Sequence, residues 1–174
     1  LATLWEYCQE NPASRVIYMH SKGSFHDNAA NRRLRQVLTR AALSKECATV
    51  PIDQCNVCSL RLSPYPHMHR SGNMWAAQCS YVRQLVAPNR LADKMGDKED
   101  WCRGSGRFAS EHWVHSHPAS KPCDLYTKQA FTWGYRGVPS LGEFESASAL
   151  ASTPRFNESV YRKKAFCRGQ YKVE

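Results

Sequence analysis

The chain has 174 residues and a mass of 19.8 kDa, with 24 Lys+Arg against 15 Asp+Glu, a formal charge of +9 and a sequence pI near 9.3. That length fits one ordinary domain. Hydrophobic residues at 42% with 11% aromatics supply a core and exclude disorder for most of the chain, and no apolar run approaches the roughly 18 residues of a membrane-spanning helix.

The chain opens Leu1-Ala2-Thr3-Leu4-Trp5, with no initiator Met and no signal-peptide pattern, and so reads as a segment of a longer protein. Leu1, Leu4, Trp5 and Cys8 recur at helical spacing, which predicts an amphipathic helix ending near Asn11-Pro12. Arg15 to His20 is rich in β-branched and aromatic residues and predicts a buried strand. A helix follows over Asn31 to Leu43, with Leu34, Val37, Leu38, Ala41 and Ala42 on one face and Arg32, Arg33, Arg35 and Arg40 largely on the other.

Ser44 to Ser71 has no sustained period and is expected to be a long irregular connection with one short strand near Ser59 to Leu62. Met74, Ala77, Tyr81, Val82 and Leu85 then suggest a second amphipathic helix, ended by Pro88. Asp93 to Arg107 reads as a surface loop and Phe108 to His115 as a short helix closed off by Pro118. From Ser120 onward Pro and Gly break every pattern, so the tail is expected to be extended and to wrap around the domain, with a last helical piece at Glu158 to Phe166.

Eight cysteines, at 8, 47, 55, 58, 79, 102, 123 and 167, form an even set of the kind that oxidising compartments favour, and Asn157-Glu158-Ser159 is a glycosylation sequon that agrees with such a location. A competing reading takes Cys55, Cys58, His67, His69 and Cys79 as zinc ligands, although a second tight ligand pair is missing. The basic residues are dispersed and carry no aromatic ladder or RNA-binding signature, so the Arg-rich helix face is read as solvated, with an anionic small molecule a better fit than a duplex.

Three segments carry candidate chemistry. Tyr18-Met19-His20-Ser21-Lys22-Gly23 is a strand end running into a turn, where Lys22 is suited to neutralise a phosphate and Gly23 to let backbone amides approach it. His67-Met68-His69-Arg70-Ser71-Gly72-Asn73-Met74-Trp75 is a polar loop in which Asn73 either caps a helix or offers an amide to a hydroxyl-rich ligand. In the same loop Trp75 either fills the core or stacks on a sugar. Arg107 to His117 places Glu111, a candidate general base, among histidines.

Together these segments resemble a glycosyltransferase-like family of algae and bacteria. Its members share a His-x-Lys-Gly strand end, a Gly-Asn-Met/Phe-Trp segment and a later Arg-Tyr/Phe-x-x-Glu-x-Trp segment, here His20-Ser21-Lys22-Gly23, Gly72-Asn73-Met74-Trp75 and Arg107-Phe108-Ala109-Ser110-Glu111-His112-Trp113. The match covers about residues 1–126. It implies an α/β fold, the later portion of a GT-A-like nucleotide-sugar transferase with long cysteine-containing loops, and residues 127–174 as a tail packed on that domain. It further implies that His20, Lys22 and Gly23 border the donor phosphates, that Gly72, Asn73 and Trp75 border the sugar or acceptor, and that Glu111 deprotonates the acceptor hydroxyl.

Such enzymes commonly use Mn2+ or Mg2+ held by Asp-x-Asp, a pair absent from this sequence, where Asp97-Lys98-Glu99-Asp100 has neither the spacing nor a preceding strand. His115 or His117 would be its remaining contribution to such a site. The expected function is transfer of a sugar from a nucleotide-sugar donor to a glycan hydroxyl in the secretory-pathway lumen (Golgi) or outside the cell, without nucleic acid. The alternatives are a non-catalytic, cysteine-stapled carbohydrate-binding or interaction module and a zinc-stabilised nucleic-acid-binding domain.

Overall fold

The structure, a computed structural model, describes residues 1–21, 28–63, 67–126 and 140–151, with the backbone alone for 63, 126 and 146–151. It is a mixed α/β arrangement built on a five-stranded sheet of order β1-β5-β2-β6-β7. The strands are β1 (Arg15–Tyr18), β2 (Val57–Ser59), β5 (Trp75–Gln78), β6 (Pro122–Tyr126) and β7 (Ser148–Ala151), and a separate ribbon pairs β3 (Leu62–Ser63) with β4 (His69–Arg70). β5 runs antiparallel to both β1 and β2, β2 is parallel to β6, and β7 is antiparallel to β6.

The first elements match their sequence signals. α1 (Ala2–Glu10) buries Cys8 and packs Leu1, Leu4 and Trp5 inward, and the Trp5 indole N–H donates to the Leu85 carbonyl at 3.0 Å. α2 (Ala29–Ala42) begins at Asn28, whose side chain accepts from the Asn31 N–H, and buries Leu34, Val37, Leu38, Ala41 and Ala42 as its period requires. β1 differs from the buried strand expected of it. It is an edge strand with Ile17 40% exposed, because only β5 pairs with it among the described residues.

The larger departures lie in the middle of the chain. The connection after α2 contains α3 (Lys45–Thr49) and β2, a central strand shifted towards the N-terminus from the expected one. The helix expected from Met74 is instead β5 followed by the single turn α4 (Cys79–Val82). Met74-Trp75-Ala76-Ala77 is apolar on both faces, so its period does not separate helix from strand, and strand pairing on both sides decides the outcome. Pro88 does not end a helix. It sits at the first position of α5 (Pro88–Met95), where its missing N–H costs nothing.

α6 (Ala109–His112), flanked by 3-10 turns at Gly106–Phe108 and Trp113–His115, occupies the expected short helix. After Ser120 the chain adds β6 to the middle of the sheet, not a wrapping tail, and continues through α7 (Leu141–Ala147) into β7. The sequon and the Glu158 to Phe166 helix lie outside the described residues.

The period-2 alternation of the strands divides the core in two. Cys58 and Ala76 face α2 with Leu34, Leu38 and Leu125, whereas Val57, Trp75 and Ala77 face α1 and α4 with Tyr81, Trp113 and Val114. Disulfides cross-link both halves. Cys8–Cys79 ties α1 to α4, Cys47–Cys58 ties α3 to β2, and Cys55–Cys123 ties the entry of β2 to β6. All seven described cysteines, Cys102 included, are disulfide-bonded, as in proteins of oxidising compartments. No helix among the described residues is long and apolar enough to cross a membrane.

Cys8–Cys79 spans 71 residues and Cys47–Cys58 spans 11. By the chain-entropy argument the longer loop contributes about 1.5 kcal/mol more. Urea unfolding of the Cys8→Ala/Cys79→Ala and Cys47→Ala/Cys58→Ala pairs is expected to show the larger loss for the first.

Candidate functional site

The candidate site grows from the β4–β5 connection. The Asn73 N–H donates to the Arg70 carbonyl at 2.9 Å, closing a tight turn with Gly72 at φ +98. Only glycine fits comfortably there, and a Cβ on Gly72 would also stand 2.4 Å from Leu38 Cδ1. Asn73 follows at φ +46, a region that asparagine tolerates, and its Oδ1 accepts the Trp75 indole N–H at 2.9 Å.

Beneath the turn, Arg70 is wholly buried. Its Nη2 donates to the carbonyls of Val57 (3.1 Å) and Cys123 (2.7 Å), one on each of the adjacent strands β2 and β6. Nε and Nη1 have no hydrogen-bond partner among the described residues. Burial lowers the guanidinium pKa to about 10, partly offset by the Asp124 carboxylate, which itself accepts the Leu62 N–H at 2.8 Å.

Around β4 gather four imidazoles. The His67 ring lies 5.3 Å from that of His69 and 4.7 Å from that of His112, while His115 is buried beside Arg70. Gly104 is packed so closely that a Cβ there would meet both His67 and His112 at under 3 Å. His112 Nε2–H donates to the Gly104 carbonyl at 2.9 Å, and His115 Nδ1 pairs with Ser120 Oγ at 3.0 Å. His67 Nδ1 and His115 Nε2 have no partner among the described residues.

Loss of solvation on burial is the largest influence on all four. It holds His67, also repelled by His112 and His69, down to about 4, and it lowers His69, His112 and, furthest, His115. The Glu111 carboxylate acts in the opposite direction on His69 and His112.

The structure brings several of the sequence-selected residues together. His20 Nε2–H donates to the Gly72 carbonyl at 2.8 Å, joining the end of β1 to the turn, and the Glu111 carboxylate acts electrostatically on His69, two residues before Ser71. Trp75 is completely buried between Tyr18 and Trp113, at ring distances of 5.4 and 6.2 Å, and it fills the core without presenting a face to solvent. Asn73 spends its amide oxygen on that indole. Lys22 and Gly23 lie outside the described residues.

Sequence reasoning did not assign a role to Arg70, because an arginine in a polar loop reads as exposed. It also weighed His67 and His69 only as zinc ligands; the segment's alternation of His and Ser at positions 67, 69 and 71 is the signal that places them on one side of a strand. A separate apolar cleft of about 280 Å³, lined by Leu91, Arg107, Ser110 and Trp113 among others, holds none of the sequence-selected residues.

Among the described residues no three carboxylate or imidazole groups stand close enough together to share an Mn2+ or Mg2+ ion. Among the described residues the cluster of ligating atoms close enough to share an ion is Cys55, Cys58 and Cys123, within 4.8 Å of one another. Their sulfurs are bridged, so they offer no thiolate to zinc either. Among comparisons with other proteins, the family model of a domain of unknown function (DUF8361) matches residues 1–172. No curated protein and no solved structure matches.

The buried imidazoles carry a pH dependence of fixed sign. Unfolded, each titrates near 6.5, whereas folded they stay neutral below that pH, His67 down to about 4. Between those values the unfolded chain binds more protons, so stability is full above about pH 6.5 and falls as pH drops through the window. Melting curves from pH 7.5 to 4.5 are expected to show a falling Tm, with a shallower slope in His67→Gln.

Proposed function

The chain belongs to the DUF8361 family, and we propose that it is a glycosyltransferase-like domain that transfers a sugar from a nucleotide-sugar donor to a glycan or glycoconjugate hydroxyl. One observation supports this above the others. Two segments of the family resemblance, 52 residues apart in the sequence, meet at one turn where His20 donates to the Gly72 carbonyl, and the Glu111 carboxylate of the third acts electrostatically on His69, whose ring pairs with Ser71.

In this reading Glu111 is the general base. It is half-buried at α6 and held among imidazoles that burial keeps neutral, so it is the group placed to accept the acceptor hydroxyl's proton as the anomeric carbon is attacked. His20 and Lys22 border the donor phosphates. Gly72, Asn73 and Trp75 act through shape, with Trp75 and Asn73 fixing the turn from within the core and the turn offering its outer edge to the sugar. The GT-A relation, a luminal Golgi or extracellular location, and Mn2+ or Mg2+ as the cofactor belong to the same proposal.

Saturation-transfer NMR with UDP-, GDP- and CMP-sugars tests it, with and without Mn2+. Binding of one donor is expected to weaken in Lys22→Ala. Glu111→Gln is expected to keep that affinity while losing about 100-fold or more in transfer, the usual scale of a general base. A folded sample that binds none of the donors would reject the reading and favour an interaction module.

A further inference from the structure

We propose that Ser71 is a nucleophilic serine with His69 as its general base, able to take the acyl group of a short-chain carboxylic ester, an activity distinct from sugar transfer.

The case rests on the hydrogen bonds of one ring. His69 Nδ1 lies 2.9 Å from the His67 carbonyl oxygen. A carbonyl only accepts, so Nδ1 carries the proton and Nε2 of the neutral ring is a bare lone pair. That nitrogen faces Ser71 Oγ at 3.3 Å, so the hydroxyl donates to it. This is the arrangement of an activated alcohol: nucleophile, base, and a third group that fixes the base's tautomer, here a backbone carbonyl. Distances of this order, slightly long, are common before substrate binds.

The surroundings add what the chemistry needs. His69 is buried and Ser71, on the turn above it, is half-buried, so the base is shielded while the nucleophile is reached from outside. The Glu111 carboxylate favours the protonated ring and so stabilises the imidazolium that forms during attack. The backbone N–H of Gly72, next after the nucleophile, makes no hydrogen bond among the described residues and is the donor at hand for an oxyanion.

The steps balance. Ser71 Oγ bonds to the ester carbonyl carbon as its proton passes to His69 Nε2. The C–O bond to the alcohol then breaks, and the departing alkoxide takes that proton. Water attacks the acyl-serine, giving a proton to Nε2. The acid leaves, and the proton returns to Ser71 Oγ.

The test is an alkyl fluorophosphonate on the intact, oxidised chain, with the modified peptide identified by mass spectrometry. Formation of the Oγ–P bond with loss of fluoride is expected at Ser71 and nowhere else. Ser71→Ala is expected to abolish labelling and p-nitrophenyl acetate hydrolysis together, and His69→Gln to slow both by about 100-fold. A sample with a cooperative melting transition that stays unlabelled at Ser71 would overturn the proposal, as would labelling that survives Ser71→Ala. Because the mapped peptide and the Ser71→Ala variant decide the matter, the outcome does not depend on whether His69→Gln folds.

Discussion

A single buried guanidinium seats the candidate site on the sheet. Arg70 reaches from the β3–β4 ribbon into the core and donates to the carbonyls of Val57 and Cys123, on two strands that run side by side in parallel. A cation so deep in the protein is tolerated only where dipoles and a counter-charge replace water; here two carbonyls and the neighbouring Asp124 do so. Everything chemically interesting hangs from that anchor. His69 precedes Arg70, Ser71 and Gly72 follow it, and His115 is buried against it. A residue that fixed the ribbon less firmly would leave the turn, and with it the histidine cluster, without a defined position.

Loss of solvation keeps the four imidazoles neutral, and for His115 the permanent positive charge of the Arg70 guanidinium acts in the same direction. Neutral rings are what a base or a nucleophile's partner requires, and the half-buried Glu111 supplies a counter-charge that acts on His69 and His112. The disulfides do the complementary work on the backbone. By joining β2 to α3 and to β6, they hold the two strands whose carbonyls receive Arg70.

How far the sequence carried the fold follows from which signals are local. α1 and α2 were legible because one face of each is apolar at helical spacing, and β1 because its residues are β-branched or aromatic between turn formers. β5 was not, since an element buried on both faces loses the alternation that identifies it, and Met74 to Ala77 is such a run. β6 was hidden and β2 displaced by two residues for another reason: their strand pairing joins segments more than 60 residues apart. At the site, His20 and Gly72, taken from two separate sequence segments, are joined by a hydrogen bond. What no local pattern revealed was that Asn73 and Trp75 satisfy each other, or that Arg70 points inward.

The most direct measurement is long-range 1H–15N NMR of the histidine rings across pH 4 to 8. If the cluster is packed around Arg70 as described, His69 holds its proton on Nδ1 at neutral pH, and His67, His69, His112 and His115 all titrate below the usual value near 6.5. Four rings titrating near 6.5 with averaged tautomers would mean solvated side chains, and both the buried cluster and the chemistry assigned to it would be wrong.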